Sequence, residues 1–138
     1  MTSDIRQRLE PYRGCRVLIT GATGFTGRVL TQKLLDTGAQ IRAIARESSK
    51  LGNLAAADIE WLRGDVFDAV LVKEACRDVE YIFHLAAAFR EEKSTEGDFR
   101  KVHLTSTQIM ANEVVNRDSF RCFVNVSTVG VHGHIEVG

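Results

Sequence analysis

The chain carries no net charge: its 138 residues set 18 lysines and arginines against 18 aspartates and glutamates. No global field draws it to nucleic acid or to an anionic membrane, and neither is expected as a partner. Cysteine is scarce. Cys15, Cys76 and Cys122 are odd in number, far apart and never in C-x-x-C spacing, which argues against a disulfide framework or a zinc site and for reduced thiols in the cytoplasm. Residues 1–14 lack an apolar core and hold Asp4, Arg6, Arg8 and Glu10, so they are read neither as a signal peptide nor as a spanning helix. The one proline, Pro11, and then Gly14 end a short polar helix that Ser3 is expected to cap. No low-complexity run or linker divides the chain beyond them. Residues 1–14 are read as a lead-in segment and 15–138 as one domain, long enough to bury roughly two-thirds of its unfolded surface.

What the chain does have is a glycine turn in a telling place. Gly21-Ala22-Thr23-Gly24-Phe25-Thr26-Gly27 follows the apolar run Val17-Leu18-Ile19 and opens onto a helical pattern that starts at Val29-Leu30. Glycines between a strand and a helix permit a sharp turn, close helix packing and exposed backbone N–H groups, and a helix N-terminus favours an anion. The spacing G-x-x-G-x-x-G is one residue longer at its start than the G-x-G-x-x-G dinucleotide fingerprint, and the expected ligand is a pyrophosphate.

The rest of the chain alternates. Strands are expected over 16–20, 41–45, 59–63, 79–85 and 122–127. Helices are expected from the glycine turn to Asp36 with Gly38 as the stop, over 68–76 with Asp68 at the start, and over 98–116; residues 47–57 form a short helix or irregular crossover. A polar loop is expected over 90–97. The predicted fold is α/β, a doubly wound parallel sheet of Rossmann type with strand order 3-2-1-4-5 and right-handed crossovers. On the 98–116 helix, Phe99, Val102, Ile109, Met110 and Val114 share a face, and Leu104, Ala111 and Val115 lie nearly opposite. The first face should cover the sheet. The second is either an interface, as in a homodimer, or a slightly apolar solvent face.

Several motifs in order give the chain its family likeness. Thr20 to Gly27 match T-G-x-x-G-x-x-G, Gly64-Asp65 a G-D after strand three, and His84-Leu85-Ala86-Ala87 an H-x-A-A after strand four. Ser127 to Gly133 approximate S-[ST]-x-x-V-Y-G. The chain from Cys15 onward thus resembles the amino-terminal part of the extended short-chain dehydrogenase/reductases, the epimerase/dehydratase group. The resemblance implies that the amides of Thr23 to Thr26 hold a pyrophosphate, that Asp65 and the backbone of Val66 meet the adenine edge, and that Leu85, Ala86 and Ala87 border the cofactor, the two alanines leaving it room. It aligns Thr128 with the family's catalytic serine or threonine. His132 stands where tyrosine is common, and Lys101 and His103 where asparagine is common. His132-Gly133-His134 is poor support for a metal without a third ligand, and His84, on an apolar strand, reads as a satisfied core histidine.

The end of strand two bears on the choice of cofactor. An NAD-selective site usually has an acid there for the ribose 2′-OH; this chain has Ala45 and then Arg46. A guanidinium suits a phosphate, so Arg46, with Arg42 or Lys50 as helpers, favours NADP without excluding NAD. The family's Tyr-x-x-x-Lys pair is missing: neither Tyr12 nor Tyr81 has lysine four residues on. The chain is expected to be either part of a longer NAD(P)-dependent reductase or nucleotide-sugar epimerase/dehydratase, inactive alone, or a non-catalytic NADP-sensing or scaffold module.

Overall fold

The computed structural model describes residues 2–87 and 95–127. Five parallel strands form one sheet: β1 (Arg16–Thr20), β2 (Gln40–Ala45), β3 (Ile59–Arg63), β4 (Tyr81–His84) and β5 (Cys122–Asn125), in the order β3-β2-β1-β4-β5. The order reverses between β1 and β4. Helix α1 is Ser3–Leu9, α2 is Phe25–Asp36 and α3 is Ala69–Ala75; a helical run of α4 (Glu96–Arg100), a π segment (Lys101–Thr105) and α5 (Ser106–Val114) precedes β5. Single 3-10 turns cover Glu10–Tyr12 and Gly52–Ala56.

Alternation along the strands sorts the core into two layers, as expected for a sheet covered on both faces. Val17, Ile19, Ile41, Ala43 and Phe83 pack with Leu34 of α2. Leu18, Ile44 and Ile82 pack with Val72 of α3 and with Met110 and Val114 of α5. The same parity puts Arg42, Thr20 and His84 on the second face.

Some element boundaries depart from the expected ones. Thr2, not Ser3, is the residue before α1, and its side chain makes no capping bond. Asp68 does cap α3, its carboxylate accepting from the amides of Val70 at 2.9 Å and Leu71 at 3.1 Å. The long helix starts at Glu96 rather than Asp98, because Thr95 and Asp98 form a reciprocal capping box. Strand β4 is shorter than 79–85, and β5 stops at Asn125. The expected polar loop lies partly outside the described residues. No helix among the described residues is long and apolar enough to cross a membrane.

Candidate functional site

The carboxyl ends of the central strands open into a cavity of about 560 Å³. Its lining joins Gly21, Thr23, Gly24, Phe25, Thr26 and Gly27 after β1, Arg46 after β2, Asp65 and Val66 after β3, and Leu85, Ala86 and Ala87 after β4. This is the crevice at the reversal of strand order where open α/β sheets take ligands. Thr128 and the stretch His132-Gly133-His134 lie outside the described residues.

The three glycines have different tasks. Gly21 has φ +73°, and a Cβ there would lie 2.7 Å from the carbonyl carbon of Leu85 and 2.8 Å from the amide of Ala86. The turn after β1 is therefore pressed against the exit of β4. A Cβ on Gly27 would lie 1.9 Å from the Gly21 carbonyl oxygen, so α2 closes against the same turn. Gly24 precedes α2, which has no side-chain cap. Its own amide closes the turn onto the Gly21 carbonyl at 3.0 Å, so this N–H is already engaged within the turn.

Beyond the turn, Ala45 is buried and Arg46 exposed, and the Arg46 guanidinium has no partner among the described residues. Arg42 is no helper. It is 3% exposed, ion-paired to Glu60 at 2.8 Å, and its Nη1 donates to the carbonyls of Glu74, Ala75 and Arg77 at the end of α3. A cation there satisfies the helix's terminal carbonyls and opposes its dipole. The exposed Asp65 carboxylate has no hydrogen-bond partner among the described residues; only its main-chain oxygen is engaged, by the Asp68 amide at 3.1 Å.

One wall of the cavity is tied to another through His84. Ser106 donates its hydroxyl proton to the Val102 carbonyl, so it accepts from His84 Nε2–H, 2.9 Å away. Nδ1 is then bare and accepts from the Thr20 hydroxyl at 2.6 Å, which in turn accepts from the Ala86 amide at 3.1 Å. This pattern of donors and acceptors suits a neutral ring. Burial pulls the His84 pKa down to about 4, with the nearby His103 adding to the shift. Thr20 and His84 meet because they are register partners on β1 and β4.

Ser49, Phe67, Asp98 and Val102 also line the cavity, and none of them is expected at the site from the sequence; Val102 is expected only to cover the sheet. Phe67 was the most accessible to such reading, being two residues past Asp65. The others come from a crossover and from a helix whose placement depends on its π segment. The Thr95 amide and hydroxyl hold the Asp98 carboxyl below its usual range.

Residues 17–137 match the NAD dependent epimerase/dehydratase family. Sterol demethylase protein B of Methylococcus capsulatus is 30% identical over 116 residues, covering 84% of this chain and 35% of that protein. The dTDP-glucose 4,6-dehydratase of Streptomyces antibioticus is 30% identical over 134 residues, 88% of this chain and 40% of its own length. The chain thus spans well under half of these curated relatives. The structure of the epimerase Mth375 from Methanothermobacter thermautotrophicus superposes with a TM-score of 0.81 at 26% identity, covering 92% of this chain and 39% of the other. A dinucleotide crevice at the sheet's reversal point, carried by residues inside the matched span, accords with this result: the chain belongs to the NAD dependent epimerase/dehydratase family.

Proposed function

We propose that the cavity binds NADP in preference to NAD, as the cofactor-holding part of an enzyme that moves a hydride at a secondary alcohol or ketone. The observation that carries the preference is the end of β2, where buried Ala45 is followed by exposed Arg46, unpaired among the described residues, on the cavity wall. Neither Ala45 nor Arg46 is an acid that could claim a ribose 2′-OH. The cavity's other features suit the dinucleotide: an uncapped helix start for the pyrophosphate, a turn that Cβ atoms would fill, and the Asp65 carboxylate, unengaged among the described residues, beside Val66 for the adenine edge. When bound, the nicotinamide supplies the hydride donor or acceptor. Thr128 is proposed to hydrogen-bond the substrate's oxygen. A relative named for sterol demethylation supports the oxidoreductive class.

The test is calorimetric. The chain should bind 2′,5′-ADP more tightly than 5′-AMP, and Arg46→Ala should weaken 2′,5′-ADP about tenfold, the scale of a lost charge-assisted hydrogen bond, while leaving 5′-AMP alone. Equal affinities in the unaltered chain would remove the preference for NADP.

We further propose self-association through the 98–116 helix, supported by Leu104 at 43% and Val115 at 70% exposure. Sedimentation should show a concentration-dependent species that Leu104→Lys abolishes; strictly monomeric behaviour of both chains would exclude it.

A further inference from the structure

The loop after β2 is gripped from two sides by guanidinium groups. From α2, Arg28 donates through Nη1 to the Leu51 carbonyl at 2.7 Å and the Asn53 side-chain oxygen at 3.2 Å, and through Nη2 to the Lys50 carbonyl at 2.8 Å. From the end of β3, Arg63 donates through Nη1 to the carbonyls of Arg46 and Ser49, both at 3.0 Å. The Ser49 amide closes the turn onto the same Arg46 carbonyl at 2.9 Å. Gly52 makes room for this grip, since a Cβ there would stand 2.7 Å from Arg28 Nη1. Among the described residues neither arginine is paired with a carboxylate, in contrast to Arg42 with Glu60.

The grip affects a ligand reaching this loop in two ways. Four carbonyls in close succession, at positions 46, 49, 50 and 51, have their negative ends bound to cations instead of left to oppose an incoming anion. The loop is also held before the ligand arrives. A polar surface segment of this kind otherwise loses conformational freedom on binding, at a cost that preorganisation removes. Arg46 and Ser49, which both line the cavity, are the residues whose backbone Arg63 holds.

We propose that Arg28 and Arg63 are specificity-positioning residues that fix the loop after β2 so that Arg46 and Ser49 together receive the phosphate on the adenosine ribose. The inference rests on the proposed preference for NADP and adds to it the Ser49 hydroxyl as a phosphate contact and two arginines that act through other residues.

Affinities for 2′,5′-ADP and 5′-AMP decide the matter, measured by calorimetry on the unaltered chain, Arg28→Met, Arg63→Met and Arg63→Lys, with a thermal melt of each. Either methionine variant is expected to weaken 2′,5′-ADP about tenfold and to leave 5′-AMP unchanged. Arg63→Lys should keep most of the preference, because a single nitrogen makes both of the native bonds and an ammonium has donors enough for two carbonyls. A preference that survives both methionine variants intact overturns the positioning role and leaves the NADP reading standing. No preference in the unaltered chain overturns both. Equal weakening of both ligands, with a lowered melting temperature, assigns the two arginines to folding and also overturns the proposal.

Discussion

Gly27→Ala is expected to destabilise the fold by about 3 kcal/mol or more, at or beyond the upper end of the range for overpacking a close-packed interior. The added methyl has nowhere to go: its carbon would sit 1.9 Å from the Gly21 carbonyl oxygen, 2.8 Å from the Gly21 carbonyl carbon and 2.9 Å from Ala22 Cα. These are backbone atoms, so no rotamer change relieves the contact. Either α2 moves out or the turn after β1 shifts, and Gly21 is itself wedged against Leu85 and Ala86. Gly24→Ala is the control. Its Cβ would meet only the Gly21 oxygen, at 3.3 Å, and glycine and alanine before a helix differ modestly. Urea unfolding of the three chains measures both effects. Equal midpoints for Gly24→Ala and Gly27→Ala, with unchanged slopes, would show that the turn yields freely and that the glycine spacing is not a packing constraint.

The sheet was legible in the sequence because its strands are short apolar runs separated by capping and turn residues, and parallel order follows from alternation with helices. The glycine turn was legible for a related reason: its chemistry is local. Arg42 was not, since nothing in Ile41-Arg42-Ala43 says that a charge will be buried; its place depends on the end of α3 lying across the sheet, with Glu60 beside it in register. Ser106 escaped notice in the same way. It faces His84 only after the π segment Lys101–Thr105 has altered the helical phase, and a fixed 100° per residue carries no sign of such a step. The faces assigned to the long helix survive best where they lie on one side of that segment, as for Met110 and Val114. The cavity's outer lining, Ser49 and Asp98 above all, depends on crossovers, where composition fixes a turn but not its position.

The neutral ring of His84 makes the fold sensitive to mild acid. In the folded chain burial holds its pKa down to about 4, against an ordinary value of 6.5. Between those values the unfolded chain takes up a proton that the folded chain refuses, so stability rises with pH through this window. The contribution is complete above about pH 6.5 and lost as pH falls toward 4, amounting to about 3 kcal/mol. The hydrogen bonds give the cost a structural form. A proton on Nδ1 removes the acceptor that the buried Thr20 hydroxyl uses, and Thr20 also holds the Ala86 amide on the cavity wall. The carboxyls held below their usual range, Glu10 and Asp98, start from 4.5 and 3.8, and their contributions are lost mainly at more acid pH. Urea unfolding of the unaltered chain at steps from pH 7 to 4.5 should therefore show a falling free energy, and His84→Gln, which cannot titrate there, should flatten the profile while lowering stability at pH 7. Parallel profiles for the two chains over that interval would mean that His84 takes up its proton without cost in the folded state, and that the ordered chain from Ala86 to Val102 does not hold in solution.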